Sequence, residues 1–159
     1  MRWSAVFLVF LFLAASAFGF NQSTDLKGIR TVNVVVGDLP DDLITNGVEK
    51  ETLATTLELA LKKAGLTVLA RDQYDGTVPT LSLDVSEIKE PHGRFFATDI
   101  VLACLDNVYN NRIAGPFDAV IWSRDVLQLL GVVDSSRIVA GEQNLIDMFV
   151  SDYAPANPQ

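Results

Sequence analysis

Apolar and polar positions alternate along this chain with two periods, and the switches between them mark the elements. Thr31–Val36 (Thr-Val-Asn-Val-Val-Val) is rich in β-branched residues and predicts a strand. Gly37–Asn46 follows as a turn region with Pro40 and three acids. Leu53, Leu57, Ala60, Leu61 and Ala64 then recur at steps of three and four, one apolar stripe of a helix. Thr45 or Asn46 is placed to cap it. Glu49 and Glu51 suit its positive end, and Lys62 and Lys63 its negative end. Gly65 is placed to take the left-handed stop.

Leu66–Ala70 predicts a second strand and Arg71–Thr77 a polar turn. In Leu81–Ser86, Leu81, Leu83 and Val85 alternate with Ser82, Asp84 and Ser86, the pattern of a half-buried strand. Glu90–Gly93 makes a turn. Phe95–Tyr109 is a long strand, apolar on both sides: Ile100, Leu102, Cys104 and Val108 on one, Val101, Ala103, Leu105 and Tyr109 on the other. A strand covered on both faces has this pattern, and so does one whose second face meets a partner. Asn110–Pro116 is a turn and Ala119–Trp122 a short strand. Val126–Val133 fits a strand extension, a helical turn or a loop. Asp134, Ser135 and Ser136 are cap residues for a second amphipathic helix carrying Ile138, Leu145, Ile146, Phe149, Val150 and Tyr153. Gly141 weakens that helix, and Pro155 and Pro158 close it.

The predicted order is β-α-β-β-β-β-α. Its simplest packing is an α+β two-layer sandwich: a mixed, mostly antiparallel sheet with two helices on one face. Residues 31–153 form the single domain, with a flexible leader at 20–30 and a tail at 154–159.

The start of the chain adds a compartment. Arg2, the apolar run Ala5–Ala15, and small residues at Ala15, Ala17 and Gly19 have the order of a secretory signal peptide over residues 1–19. Cleavage after Ala17 or after Gly19 fits, and an uncleaved anchor is the alternative. The run is short of the roughly 18–20 residues a spanning helix needs. The expected product is a soluble exported protein, periplasmic or extracellular, with no stable membrane insertion after cleavage.

Charge narrows the partners. The formal net charge is −8, and losing the signal removes one arginine and no acid. Such a chain repels phosphate backbones, so nucleic acid is a poor partner. The one cysteine, Cys104, allows no internal disulfide and reads as a small core residue; an intermolecular bridge is the alternative.

Catalytic sets are wanting. His92, the one histidine, stands in a Pro-His-Gly turn and reads as a surface residue. Asp38, Asp41 and Asp42 lack the ligand ladder of a calcium loop and read as a solvated, helix-capping loop. There is no Gly-rich phosphate loop, no Gly-x-Ser-x-Gly, no His-Glu-x-x-His and no Cys-x-x-Cys. No catalytic, cofactor or metal residue is therefore assigned. Trp122, Arg124 and nearby acids offer a stacked cation at the sheet rim. The candidate partner surface is Val101, Ala103, Leu105, Tyr109, Trp122 and Arg124.

The segments Val32–Val36, Leu53–Gly65 with Leu66–Leu69, and Leu81–Val85 together resemble small exported α/β domains of bacterial envelope accessory proteins. These are the N-terminal domain of the Tol–Pal propeller protein, the curli-secretion lipoprotein and the lipopolysaccharide-assembly lipoprotein. The likeness spans Thr31–Tyr153 and implies an assembly or interaction role without catalysis. It departs in one respect: two of those relatives are lipid-anchored through a cysteine, and none follows the apolar run here.

Three functions are thus open. The first is an exported, non-catalytic interaction or envelope-assembly module, engaging another exported protein or itself. The second is a small-ligand carrier with an apolar pocket between helices and sheet. The third is a carboxylate-based hydrolase, which needs two acids facing across a cleft.

Overall fold

A computed structural model describes residues 25–70, 73, 76–89, 96–110, 114–130 and 134–158. The elements are β1 (Thr31–Val36), α1 (Asp41–Thr45), α2 (Lys50–Lys63), β2 (Thr67–Val68), β3 (Thr80–Lys89), β4 (Phe96–Asn110), β5 (Gly115–Leu130) and α3 (Ser135–Ala156). The strands form one five-stranded sheet in the order β2-β1-β3-β4-β5. β1 runs parallel to both β2 and β3, and the β3–β4 and β4–β5 pairs are antiparallel. The α+β sandwich read from the periodicity is the observed architecture, with one short helix more.

Several boundaries move, each for a local reason. The turn region holds α1, which starts after Pro40 and carries Asp41 and Asp42 in its first turn, where acids suit the helix dipole. Asn46 therefore ends α1 and does not cap the long helix; Glu49 stands at that cap. Gly65 takes φ +90° as its position demands. Its amide bonds to the Lys62 carbonyl (3.1 Å) and the Leu66 amide to Leu61 (3.0 Å), the paired bonds of a Schellman stop. Asp134 caps α3, accepting from the Ser136 amide (3.0 Å) and hydroxyl (2.6 Å). Those bonds, with Arg137 nearby, hold its carboxyl below the usual range. The Ala119–Trp122 strand is longer than expected, running from Gly115 to Leu130. Leu66–Ala70 is shorter, with only Thr67–Val68 paired. Glu90–Gly93, with His92, lies outside the described residues.

The packed unit also extends beyond 31–153. Leu26 and Ile29, placed in a flexible leader by sequence, belong to the core. α3 passes through Pro155 to Ala156, so that proline does not end it. Past the helix, Asn157 accepts from the Gly28 amide (2.7 Å) and donates to the Leu26 carbonyl (2.8 Å). The Tyr153 hydroxyl donates to the Ile29 carbonyl (2.9 Å). These bonds tie the two ends of the domain together, each contributing on the order of 1 kcal/mol.

Helices α2 and α3 cover one face of the sheet. Between them and the sheet lie Leu53, Leu57 and Leu61 of α2, Leu145 and Phe149 of α3, and Leu81, Leu83, Ile100, Leu102, Cys104 and Trp122 of the strands. That space is occupied by these buried side chains.

Candidate functional site

The registers assign every strand residue to a face. Leu81 lies opposite Cys104 and Cys104 opposite Trp122, under the helices. The other face carries Ser82, Ala103 and Ser123 in one row, Asp84, Val101 and Asp125 in the next, then Ser86, Asp99 and Leu127, then Ile88, Ala97 and Leu129. Towards the opposite end, Thr80, Leu105 and Val120 make a row, followed by Asn107 with Asp118 and Tyr109 with Pro116. None of the described helices covers these positions.

Four of the six candidate surface residues are on this helix-free face. Val101, Ala103 and Leu105 are half-buried and Tyr109 is exposed. The other two are corrected: Trp122 and Arg124 point to the helix side. The cause is a β-bulge. Leu105 pairs with Val120 but Cys104 pairs with Trp122, so one residue of β5, Ile121, is extra. Without it Trp122 would lie opposite Ala103 on the open face; a one-residue slip inverts every side chain beyond it.

Trp122 is consequently wholly buried. Its ring meets Phe149 edge-on, centroids 5.0 Å apart, and Phe149 stacks on Tyr153 at 5.9 Å. The indole Nε1 donates to Asp152 Oδ2 (2.9 Å), and Arg124 Nη2 reaches the same oxygen (3.1 Å). The Arg124 guanidinium carbon lies 5.7 Å from the indole centroid, within cation–π range. The group anchors α3 to β5. It is the stacked cation expected from sequence, turned toward the helix.

What the open face can do follows from its composition. Val35, Ile88, Tyr109, Val120, Leu127 and Leu129 are large apolar side chains left exposed there, Leu127 and Leu129 to 67% and 68%. Interspersed are Asp84, Asp99, Asp118 and Asp125. Among the described residues, no lysine or arginine stands on this face. Asp84 and Asp125 flank Val101 across the strands. Ser82 donates to Asp84 (2.8 Å), and one oxygen of Asp99 is buried without a hydrogen bond. A hollow of about 290 Å³ opens on the face, bordered by Asn33, Val35, Thr80, Leu105 and Asp118 among others.

The helix side has its own groove of about 600 Å³ between α2 and α3, with Leu59, Ala60, Ile146 and Val150 in its walls. No group of three or more metal-ligating side chains occurs among the described residues. Nor is any described helix long and apolar enough to cross a membrane. Asp38 pairs with Lys50 (3.1 Å) at the surface. Cys104 is buried, and burial together with the Asp106 charge pushes its thiol up to about 12. A thiol so held offers no thiolate for bridging.

Sequence reasoning missed one residue. Glu142 of α3 is 1% exposed. Neither of its carboxyl oxygens has a hydrogen-bond partner, and burial pushes the carboxyl up to about 8. The signal was present, because Glu142 falls four residues after Ile138 and seven before Phe149, on the apolar stripe itself.

No protein-family model and no curated protein matches the chain. Solved structures do. A PelC point-variant dodecamer from Paraburkholderia phytofirmans is 16% identical, with TM-score 0.45, over 84% of this chain and 91% of that one. A minor lipoprotein from Acinetobacter baumannii is 12% identical, with TM-score 0.36, over 79% and 87%. Uncharacterized lipoprotein B from Nitrosomonas europaea is 11% identical, with TM-score 0.33, over 84% and 81%.

Proposed function

We propose that this chain is an exported, non-catalytic interaction module that docks another protein of the cell envelope through the helix-free face of its sheet. One observation carries the reading: that face keeps large apolar side chains in water across β3, β4 and β5, while the other face of the same sheet carries the core. Large apolar side chains exposed together on one face are a feature of interaction sites. Export rests on the signal-like residues 1–19. Kinship with the Tol–Pal, curli-secretion and lipopolysaccharide-assembly domains belongs to the same proposal.

The test is site-specific photo-crosslinking in intact cells, with benzoylphenylalanine at Tyr109 or Leu127 on the open face and at Leu59 in the helix groove. A discrete adduct with one other protein from the sheet positions, and none from Leu59, is the expected result. Adducts confined to Leu59, or absent everywhere, would count against the open face.

A further inference from the structure

Resting on the docking reading above, we infer how the partner engages: an extended segment of it adds as a sixth strand to the outer edge of β5, presenting a basic residue opposite Asp125 and apolar residues opposite Leu127 and Leu129. The two edges of the sheet are very unequal. The β2 edge is two residues long, whereas β5 runs for 16 and, among the described residues, has a strand neighbour on one side only. An edge strand presents a row of unpaired backbone N–H and C=O groups, and proteins ordinarily blunt such edges with proline, lysine, a bulge or a short strand. The bulge here is at one place, and from Trp122 to Leu129 the strand has no proline, glycine or lysine. Its one cation, Arg124, is engaged by Asp152 on the helix side. That stretch can therefore pair over about eight residues, the length of an ordinary strand.

The side chains beside that edge specify the occupant. An added strand places its residues directly opposite those of β5 on the same face, about 5 Å away between Cβ atoms. On the open face these are Asp125, Leu127 and Leu129, all exposed. Opposite charges across such a pair stabilise it and like charges destabilise it. A second copy of this chain is a poor occupant on two grounds. In antiparallel β5–β5 pairing, residues facing one another share a face, so Arg124 of one copy never comes opposite Asp125 of the other. The two-residue β2 edge, for its part, offers too little to pair with. The open face also has no described cation to answer its four carboxylates. An extended basic–apolar segment satisfies the backbone, the leucines and Asp125 together, which is strand addition as a recognition mode.

The experiment uses the purified protein and two blocked peptides, Thr-Leu-Thr-Leu-Thr-Lys-Thr and the same sequence with Glu in place of Lys. Binding is titrated, and amide hydrogen exchange locates it. The lysine peptide is expected to slow exchange in 122–130 and to bind roughly tenfold more tightly than the glutamate peptide, a difference that cross-strand charge pairs support. Asp125→Lys should reverse the preference, and being an exposed substitution it leaves the fold in place. Equal binding of the two peptides, protection confined to the α2–α3 groove, or β5 protection that grows with protein concentration in the absence of peptide would each overturn the inference. Should the peptides fail while in-cell adducts still form at Leu127, the open face stands and edge pairing falls.

Discussion

Replacing Glu142 with methionine yields a protein whose advantage over the parent grows with pH, by about 4 kcal/mol between pH 5 and pH 8.5. The parent carboxyl sits in the core without a partner, and its ionised form is penalised by burial, so its pKa rises from 4.5 to about 8. The sign follows from proton counting. Below about 4.5 both folded and unfolded chains hold the proton, and ionisation costs nothing. Between about 4.5 and 8 the unfolded chain has released it and the folded chain has not, so each pH unit removes about 1.4 kcal/mol of stability. Above about 8 the loss levels off. Methionine has similar volume and no charge, so that slope vanishes. Denaturant titrations of both proteins at several pH values measure it. Parallel slopes for the two would mean that Glu142 ionises freely in the folded state.

Trp122→Ala is expected to destabilise the domain by roughly 3–5 kcal/mol, the usual loss for a large aromatic removed from a core. Trp122 fills the space between β5 and α3, meets Phe149 edge-on and donates to Asp152. Trp122→Phe keeps most of the packing and removes the donor. Its loss should stay near 1–3 kcal/mol, the range of a hydrogen bond to a charged acceptor. Urea midpoints of the parent and both variants give the comparison. A loss under about 1 kcal/mol for alanine would place Trp122 outside the core and undo the assignment of faces along β5.

That assignment is also where sequence and structure part. The long strand is legible in its two apolar sides, and both main helices in their three-and-four steps, because burial on one side imposes those periods. Val101, Ala103, Leu105 and Tyr109 could be grouped from alternation within one strand. Trp122 and Arg124 could not be joined to them correctly, since their face depends on the one-residue bulge at Ile121. A bulge leaves the composition of a strand unchanged, and alternation carries no record of where pairing slips. The length of β5 was hidden by Ser123, Arg124, Asp125 and Gln128, polar residues that suit an edge strand open to water and also suit a loop. The ties through Asn157 and Leu26 join positions 131 apart in sequence, and no local pattern predicts a contact at that range. Glu142 differs from these: the helix stripe passes through it, and extending the period from Ile138 finds it.

The central claim is that the open face serves binding and the fold does not need it. Its sharpest test is the double substitution Leu127→Thr and Leu129→Thr, which keeps β-compatible side chains and removes exposed apolar surface. The measurement is the size of the protein in an extract of the cells that make it. The parent should run as part of a heteromeric complex. The variant should run as a monomer with its stability within about 0.5 kcal/mol of the parent's, as expected for exposed positions. A variant that stays in the complex, or a parent that is monomeric in the extract, would contradict the account.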